Sequence, residues 1–336
     1  MADERHASEQ QLPALAAFVL THRLPCAALL LTMLVAAVWV PVGLQGLPQF
    51  LLLIASLLAV TMHMMTPAVV AVVAFGGGLL FAGQVSALMA LGVVLIAGFS
   101  WLAGLAVFVL YGLLPMLAAM LMSGRDGMRR SAEWLALLVA LVSVVGLWLA
   151  AVNHGLGIEA LVKQWLRPLF DAIRVEMPAS EAEAAIMLEQ MRGMMAAIFP
   201  GLLMVGLWFA WWSNVVLARS IAVRYSFYRG DTGDFLTLRF EKPVAYIFVG
   251  LLVLANIATA DIHYLAVNLL ILVAGLLAVQ GVAVSHSWLK AKGMLLSIVL
   301  MYFLLVVWSM MVVPFIIIGL MDIWFDYRRN IPAAGG

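Results

Sequence analysis

The chain has 336 residues, 66% of them hydrophobic and only 10% charged, with a formal net charge of +1 and a mean hydropathy of +1.12. A soluble domain is about a quarter charged, so the composition excludes one and describes an integral membrane protein, while the absence of a basic block excludes a nucleic-acid partner. Cys26 is the single cysteine, which excludes an internal disulfide and a thiolate metal cluster.

Residues 1–24 carry Asp3, Glu4, Arg5 and Glu9 and read as a cytoplasmic tail with a short amphipathic segment rather than a cleaved signal. A single transmembrane domain is expected over 25–330, with 331–336 as a tail. A spanning helix needs about 20 apolar residues, and the clearest runs are 26–43, 48–64, 67–83, 102–122, 134–152, 198–218, 244–259 and 265–285. On the first, Ala28, Thr32 and Ala36 form a stripe of small residues that would let another helix approach closely, with internal packing favoured. Between 84 and 122 a further short helix fits if the chain breaks near Gly98-Phe99-Ser100. The run 294–325 is too long for one upright span, and is either a tilted helix kinked at Pro314 or a hairpin of two short helices, the favoured form. The expected fold is therefore all-α, a polytopic bundle of about 8–10 membrane segments.

Arginines and lysines crowd the short loops 123–131, 219–242 and 286–293, which places these on the cytoplasmic side of a bacterial plasma membrane. Residues 153–197 form an external insertion. Within it Ile158, Leu161, Val162, Trp165, Leu166, Leu169, Phe170 and Ile173 recur at helical spacing, opposite Glu159, Lys163, Gln164, Arg167, Asp171 and Arg174. That pattern is a helix lying in the interface, bent or divided at Pro168. Ser180 and Glu183 then form a capping box for the next helix.

Polar residues inside hydrocarbon are costly and are the first functional suspects. His63, Asn214, Asn256, Asn268, Gln280 and His286 are the candidates for a ligand cavity, each with packing or an interhelical hydrogen bond as the plainer role. Asp261 reads as loop polarity. Asp322 and Asp326 lie one helical turn apart in GLMDIWFDYRR, with Trp324, Phe325 and Tyr327 as an aromatic belt. Asp322 lies below that belt and needs a partner, so a structural clamp is expected from Asp322, Asp326, Arg219 and Arg328, with Arg224 and His286 as further candidates. No metalloprotease, nucleotide-binding or serine-hydrolase motif occurs, and neither a metal nor a cofactor is called for.

The ending G-L-x-D-x-W-F-D-[FY]-R-R resembles the YybS-like family of bacterial membrane proteins, domain of unknown function 2232. Pro200, Asn214 and Arg219 in one span, and Gln280, Gly281, Ala283 and His286 in another, fit the same family in the same order. The resemblance implies a distant likeness to the substrate-binding S-components of energy-coupling-factor transporters, which capture vitamins and borrow a separate motor. This chain departs from them in its greater number of spans, its longer external segment and Thr32 in the first-helix alanine stripe. The first expected function is thus a small-molecule-binding or transport-related subunit, whose partners are the bilayer, a small ligand and a separate membrane or ATPase subunit. The second is a membrane scaffold or assembly protein. The weakest is an enzyme on a lipid or isoprenoid substrate, for which His154, Glu159 and Asp171 are the only loosely clustered groups.

Overall fold

A computed structural model describes residues 12–175 and 182–330. Among these every regular element is a helix, with no strand. The helices are α1 Ala14–Thr21, α2 Arg23–Gly43, α3 Gln49–Ile96, α4 Trp101–Val107, α5 Leu114–Met122, α6 Gly127–His154, α7 Ile158–Val175, α8 Ala182–Arg224, α9 Lys242–Ile257, α10 Ala260–Ala291, α11 Leu295–Val307 and α12 Val312–Phe325. Six helical runs among the described residues are long and apolar enough to cross a bilayer, namely α2, α3, α6, α8, α10 and Trp101–Met122, in which a π-helical turn joins α4 to α5; the bent pair α11–α12 brings the number to 7 if it makes one span. This is a polytopic helical bundle. That number counts α3 once although its 48 residues break at Gly78, and leaves out α9, which at 16 residues is short, so it lies under the expected 8–10.

The chain gathers into two compact units: residues 1–135 with 209–232, and 136–208 with 233–336. In the first, α2 packs along α3 through Cys26, Ala27, Leu30 and Leu34 against Val70, Val73, Ala82, Val85 and Met89. The small-residue stripe does not make this contact: Ala28 and Thr32 are exposed, and the Thr32 hydroxyl turns back to Ala28 O at 2.9 Å. The break expected between 64 and 67 is also absent. α3 runs through Pro67 and breaks instead at Gly78 (φ 79°, ψ 171°), a conformation open to glycine because it has no Cβ. The break near Gly98-Phe99-Ser100 is where expected: Gly98 and Phe99 both take φ 64°, and Ser100 caps α4 by accepting from Ala103 N at 3.3 Å.

In the second unit α10 is the hub, packed on α9, α12 and α7. Its closest approach is to α12, where Gly281 faces Gly319. A Cβ on Gly281 would fall 1.9 Å from Phe315 O, and one on Gly319 would fall 1.9 Å from Leu277 O, so the two backbones touch. α11 and α12 meet at 118° across residues 308–311, so the chain turns before Pro314, which sits in the first turn of α12 where its missing N–H costs nothing. The interfacial helix forms as α7 without interruption at Pro168. It buries Ile158, Leu161, Val162, Leu166 and Phe170 against Ala151, Ala196 and Tyr264, leaving Trp165, Leu169 and Ile173 exposed. Ser180, the capping residue of the expected capping box, falls outside the described residues.

Gly281→Ala and Gly319→Ala are each expected to destabilise the protein by about 1–3 kcal/mol through overpacking. Gly146→Ala, with nothing within 4 Å of the added Cβ, should leave it unchanged or slightly stabilised. Thermal melts of the three purified variants in one detergent check this, and equal melting temperatures would refute the glycine crossing.

Candidate functional site

The deep polar side chains meet the backbone at places where proline has broken the helical ladder. A proline at position i cannot donate to the carbonyl at i−4, and hydrocarbon supplies no water to replace that bond. Pro200 in α8 leaves Ala196 O without its donor, and the Tyr264 hydroxyl of α10 donates to it at 2.6 Å. One residue on, Asn268 Nδ2 donates to Ala197 O at 2.9 Å and Asn268 Oδ1 accepts from Gly201 N at 2.7 Å. Those are the two groups that an unbroken helix would join directly, so the amide acts as a splint. Gly201 makes room for it: a Cβ there would lie 2.9 Å from Asn268 O.

The first unit repeats the device. In α3, Met64 O lies one residue from the carbonyl that Pro67 cannot reach, and Asn214 Nδ2 donates to it at 2.9 Å. Ahead of Pro115 the chain takes a π-helical turn over Phe108–Leu113, with Leu114 N donating to Val109 O. In that register the next donor, for Leu110 O, would be Pro115, which has none; Trp211 Nε1 donates to Leu110 O instead. Tyr111, on the same turn, donates its hydroxyl to His63 Nε2 at 2.6 Å. His63 Nδ1 lies 2.9 Å from Leu34 O, which can only accept, so Nδ1 carries the proton. Asn214 Oδ1 and Ser86 Oγ are buried with no partner among the described residues.

The buried carboxylate lies in the second unit. Asp322 is 0% exposed; its Oδ2 accepts from Gln280 Nε2 at 2.9 Å and its Oδ1 from Tyr327 N at 3.0 Å. Gln280, also fully buried, accepts from Phe240 N at 2.7 Å through Oε1 and donates to Gly319 O at 3.2 Å. Asp326 ends α12 in the left-handed conformation (φ 46°, ψ 63°), which turns Tyr327 N back onto Asp322. Arg328 Nη2 stands 3.9 Å from Asp322 Oδ2. Burial draws the Arg328 pKa below its ordinary value, with Asp322 pushing the other way. The cation on Asp326 is Arg239, at 2.7 Å, which also donates to Ile323 O at 3.2 Å. Arg219 belongs to the first unit, where it donates to Asp231 O at 3.0 Å and lies 5.6 Å from the Tyr228 ring centre. Arg239 gave no signal in the sequence beyond being one of five cations in its loop.

The remaining candidates have local partners. Asn256 is exposed and donates to Leu252 O of its own helix at 2.7 Å. His286 pairs with the Tyr302 hydroxyl at 3.0 Å. Asp261 does more than its loop position implied: its Oδ1 accepts from Ile158 N at 3.1 Å and so caps α7 from a distant part of the chain.

Two open clefts lie in the second unit. One, of about 630 Å³, is lined by α7 and α8 residues that include Lys163, Arg167, Asp171, Arg174, Glu189 and Arg192. The other, of about 620 Å³, is mainly apolar, between Val284, Trp288, Met301, Phe315 and Tyr327. His63, Asn214, Asn256, Asn268, Gln280 and His286 line neither cleft. Among the described residues no group of three or more histidines, cysteines or carboxylates could hold a metal ion.

Residues 47–323 match a family described as predicted membrane protein, DUF2232. The chain belongs to that family. No curated protein and no solved structure matches it. The stretch that defines DUF2232 here takes in Gln280, Gly281, Gly319 and Asp322 and stops before Asp326 and Arg328. Two separate motifs of this DUF2232 chain, Gln280-Gly281 and Gly319-to-Asp322, thus form one contact: the glycines let the helices touch, and the touching helices bring the amide to the carboxylate.

Two variants test the clamp and two the splint. In Asp322→Asn one of two buried donors, Gln280 Nε2–H or Tyr327 N–H, loses its acceptor, at a cost of about 1–3 kcal/mol. Asp326→Asn breaks a half-exposed pair worth at most about 1 kcal/mol. The first should therefore melt lower than the second; equal stabilities would refute the buried cluster. Asn268→Leu should cost about 1 kcal/mol in the native background and clearly less beside Pro200→Ala, where an unbroken ladder can form. A double-mutant cycle with no coupling would refute the splint.

Proposed function

We propose that this protein is a membrane-embedded subunit of a bacterial plasma membrane that captures a small molecule and carries out no chemistry on it. The observation that supports this reading is the α7–α8 cleft. Its volume of about 630 Å³ suits a small ligand, and its walls combine charged groups with Leu156, Phe170 and Leu188. The deep amides and the buried carboxylate are already bonded to protein groups, which favours a structural frame for them and leaves the surface cleft for a ligand. A transport role would draw its energy from a separate ATPase subunit, because these 336 residues contain no nucleotide-binding motif. The likeness to S-components, carried by sequence motifs, is consistent with that division of labour.

A scaffold role is the second reading, and the bonding of most of these deep polar groups to the protein itself favours it. Native mass spectrometry of the full chain, extracted gently from its own membrane, separates the two. Ligand capture predicts one small molecule per chain, lost when Ala160→Trp fills the cleft. An unoccupied wild-type chain that retains a stoichiometric protein partner would overturn capture in favour of the scaffold.

A further inference from the structure

We propose that the α7–α8 cleft takes an anionic amphiphile: a phosphate- or carboxylate-bearing head on an apolar body. The proposal rests on the small-molecule reading above and names its ligand class. Four cations line the cleft, Lys163, Arg167 and Arg174 from α7 and Arg192 from α8, against two carboxylates, Asp171 and Glu189. The α7 cations fall at intervals of four and seven residues and so share one face. Lys163 is held by Glu159 at 2.7 Å, Arg167 by Asp171 at 3.4 Å and Arg192 by Glu189 at 2.5 Å, but every pair has at least one exposed partner, and such pairs contribute little. An entering anion can take these cations over at small cost. Arg174 has no partner among the described residues. Three guanidinium groups suit a head with paired oxygens, which they bind through two parallel N–H bonds.

The rest of the cleft argues against a free anion. Leu156, Ala160, Phe170 and Leu188 share its lining, so part of the ligand must be apolar to fill it. α7 also exposes Trp165 (51%), Leu169 (59%) and Ile173 (42%) beside the cleft. An amphipathic helix of this kind, with three large apolar residues outward beside a charged face that carries more cations than carboxylates, suits headgroup depth. There an amphiphile reaches the cations with its head while its tail stays in hydrocarbon. The excess of positive charge disfavours a cationic ligand.

The test uses the full chain in detergent, with native mass spectrometry reading retention of dioleoyl phosphatidylglycerol, of dioleoyl phosphatidylcholine and of inorganic phosphate. Phosphatidylglycerol is expected to be retained over phosphatidylcholine. The preference should fall by roughly tenfold for each guanidinium removed in Arg167→Gln and Arg174→Gln, and stay intact in Arg229→Gln, an exposed arginine outside the cleft. Ala160→Trp should abolish it. Equal retention of the two lipids, or a preference untouched by the double variant at normal folded yield, overturns the proposal. Phosphate that displaces phosphatidylglycerol and binds as well alone overturns the amphiphile in favour of a soluble anion. A neutral molecule found in the cleft defeats this inference while ligand capture stands; a cleft that holds nothing defeats both.

Discussion

A backbone group in hydrocarbon must find a protein partner, and most of this molecule's polar chemistry follows from that requirement. Prolines at 67, 115 and 200 interrupt or shift the ladder within long apolar helices. Near each, a polar side chain from another helix bonds the backbone at or beside the gap: Asn214 to Met64 O, one residue on from the carbonyl Pro67 leaves open, Trp211 to Leu110 O, and Tyr264 with Asn268 to Ala196 O, Ala197 O and Gly201 N. Each bond fixes which two helices meet there, so the prolines and their splints specify packing that uniformly apolar surfaces would leave loosely defined. Gly78, where no side chain repairs the chain, is by contrast a real break.

The contact between α10 and α12 obeys the same rule in another form. Two glycines remove the side chains that would hold the helices apart, and contact at backbone distance lets Gln280 bridge Phe240 N, Gly319 O and Asp322 at once. A carboxylate at that depth is tolerable because both of its oxygens accept hydrogen bonds and an arginine stands nearby. The left-handed turn at Asp326 makes this possible by folding the chain end back over the helix terminus.

Frame and proposed binding surface then fall on different residues. The splints and the clamp hold helices in register, while the α7–α8 cleft carries exposed charges whose bonds are weak and exchangeable. Asp261 links α7 to the frame by capping its first turn, which gives the cleft wall a rigid anchor on α10. Losing a splint would lower stability, whereas the exposed cleft cations contribute little to it.

Composition and hydropathy alone determined that this is a polytopic helical membrane protein, because about 20 apolar residues in a row have no other stable home. The period of α7, the break at Gly98 and the need of Asp322 for a buried partner were legible as well, since each depends on local spacing or on the cost of one group in lipid. Tertiary structure decided the partners. Pro67 read as a helix end because a broken ladder is costly in isolation; in the fold α3 runs on through it, and the side chain of Asn214, 150 positions from Met64, bonds the backbone beside the gap. Arg239 rather than Arg219 meets Asp326, Asp261 caps a helix 103 positions distant, and the cleft cations gather from two helices. Such pairings arise from the three-dimensional path of the chain, which residue type and local spacing do not encode.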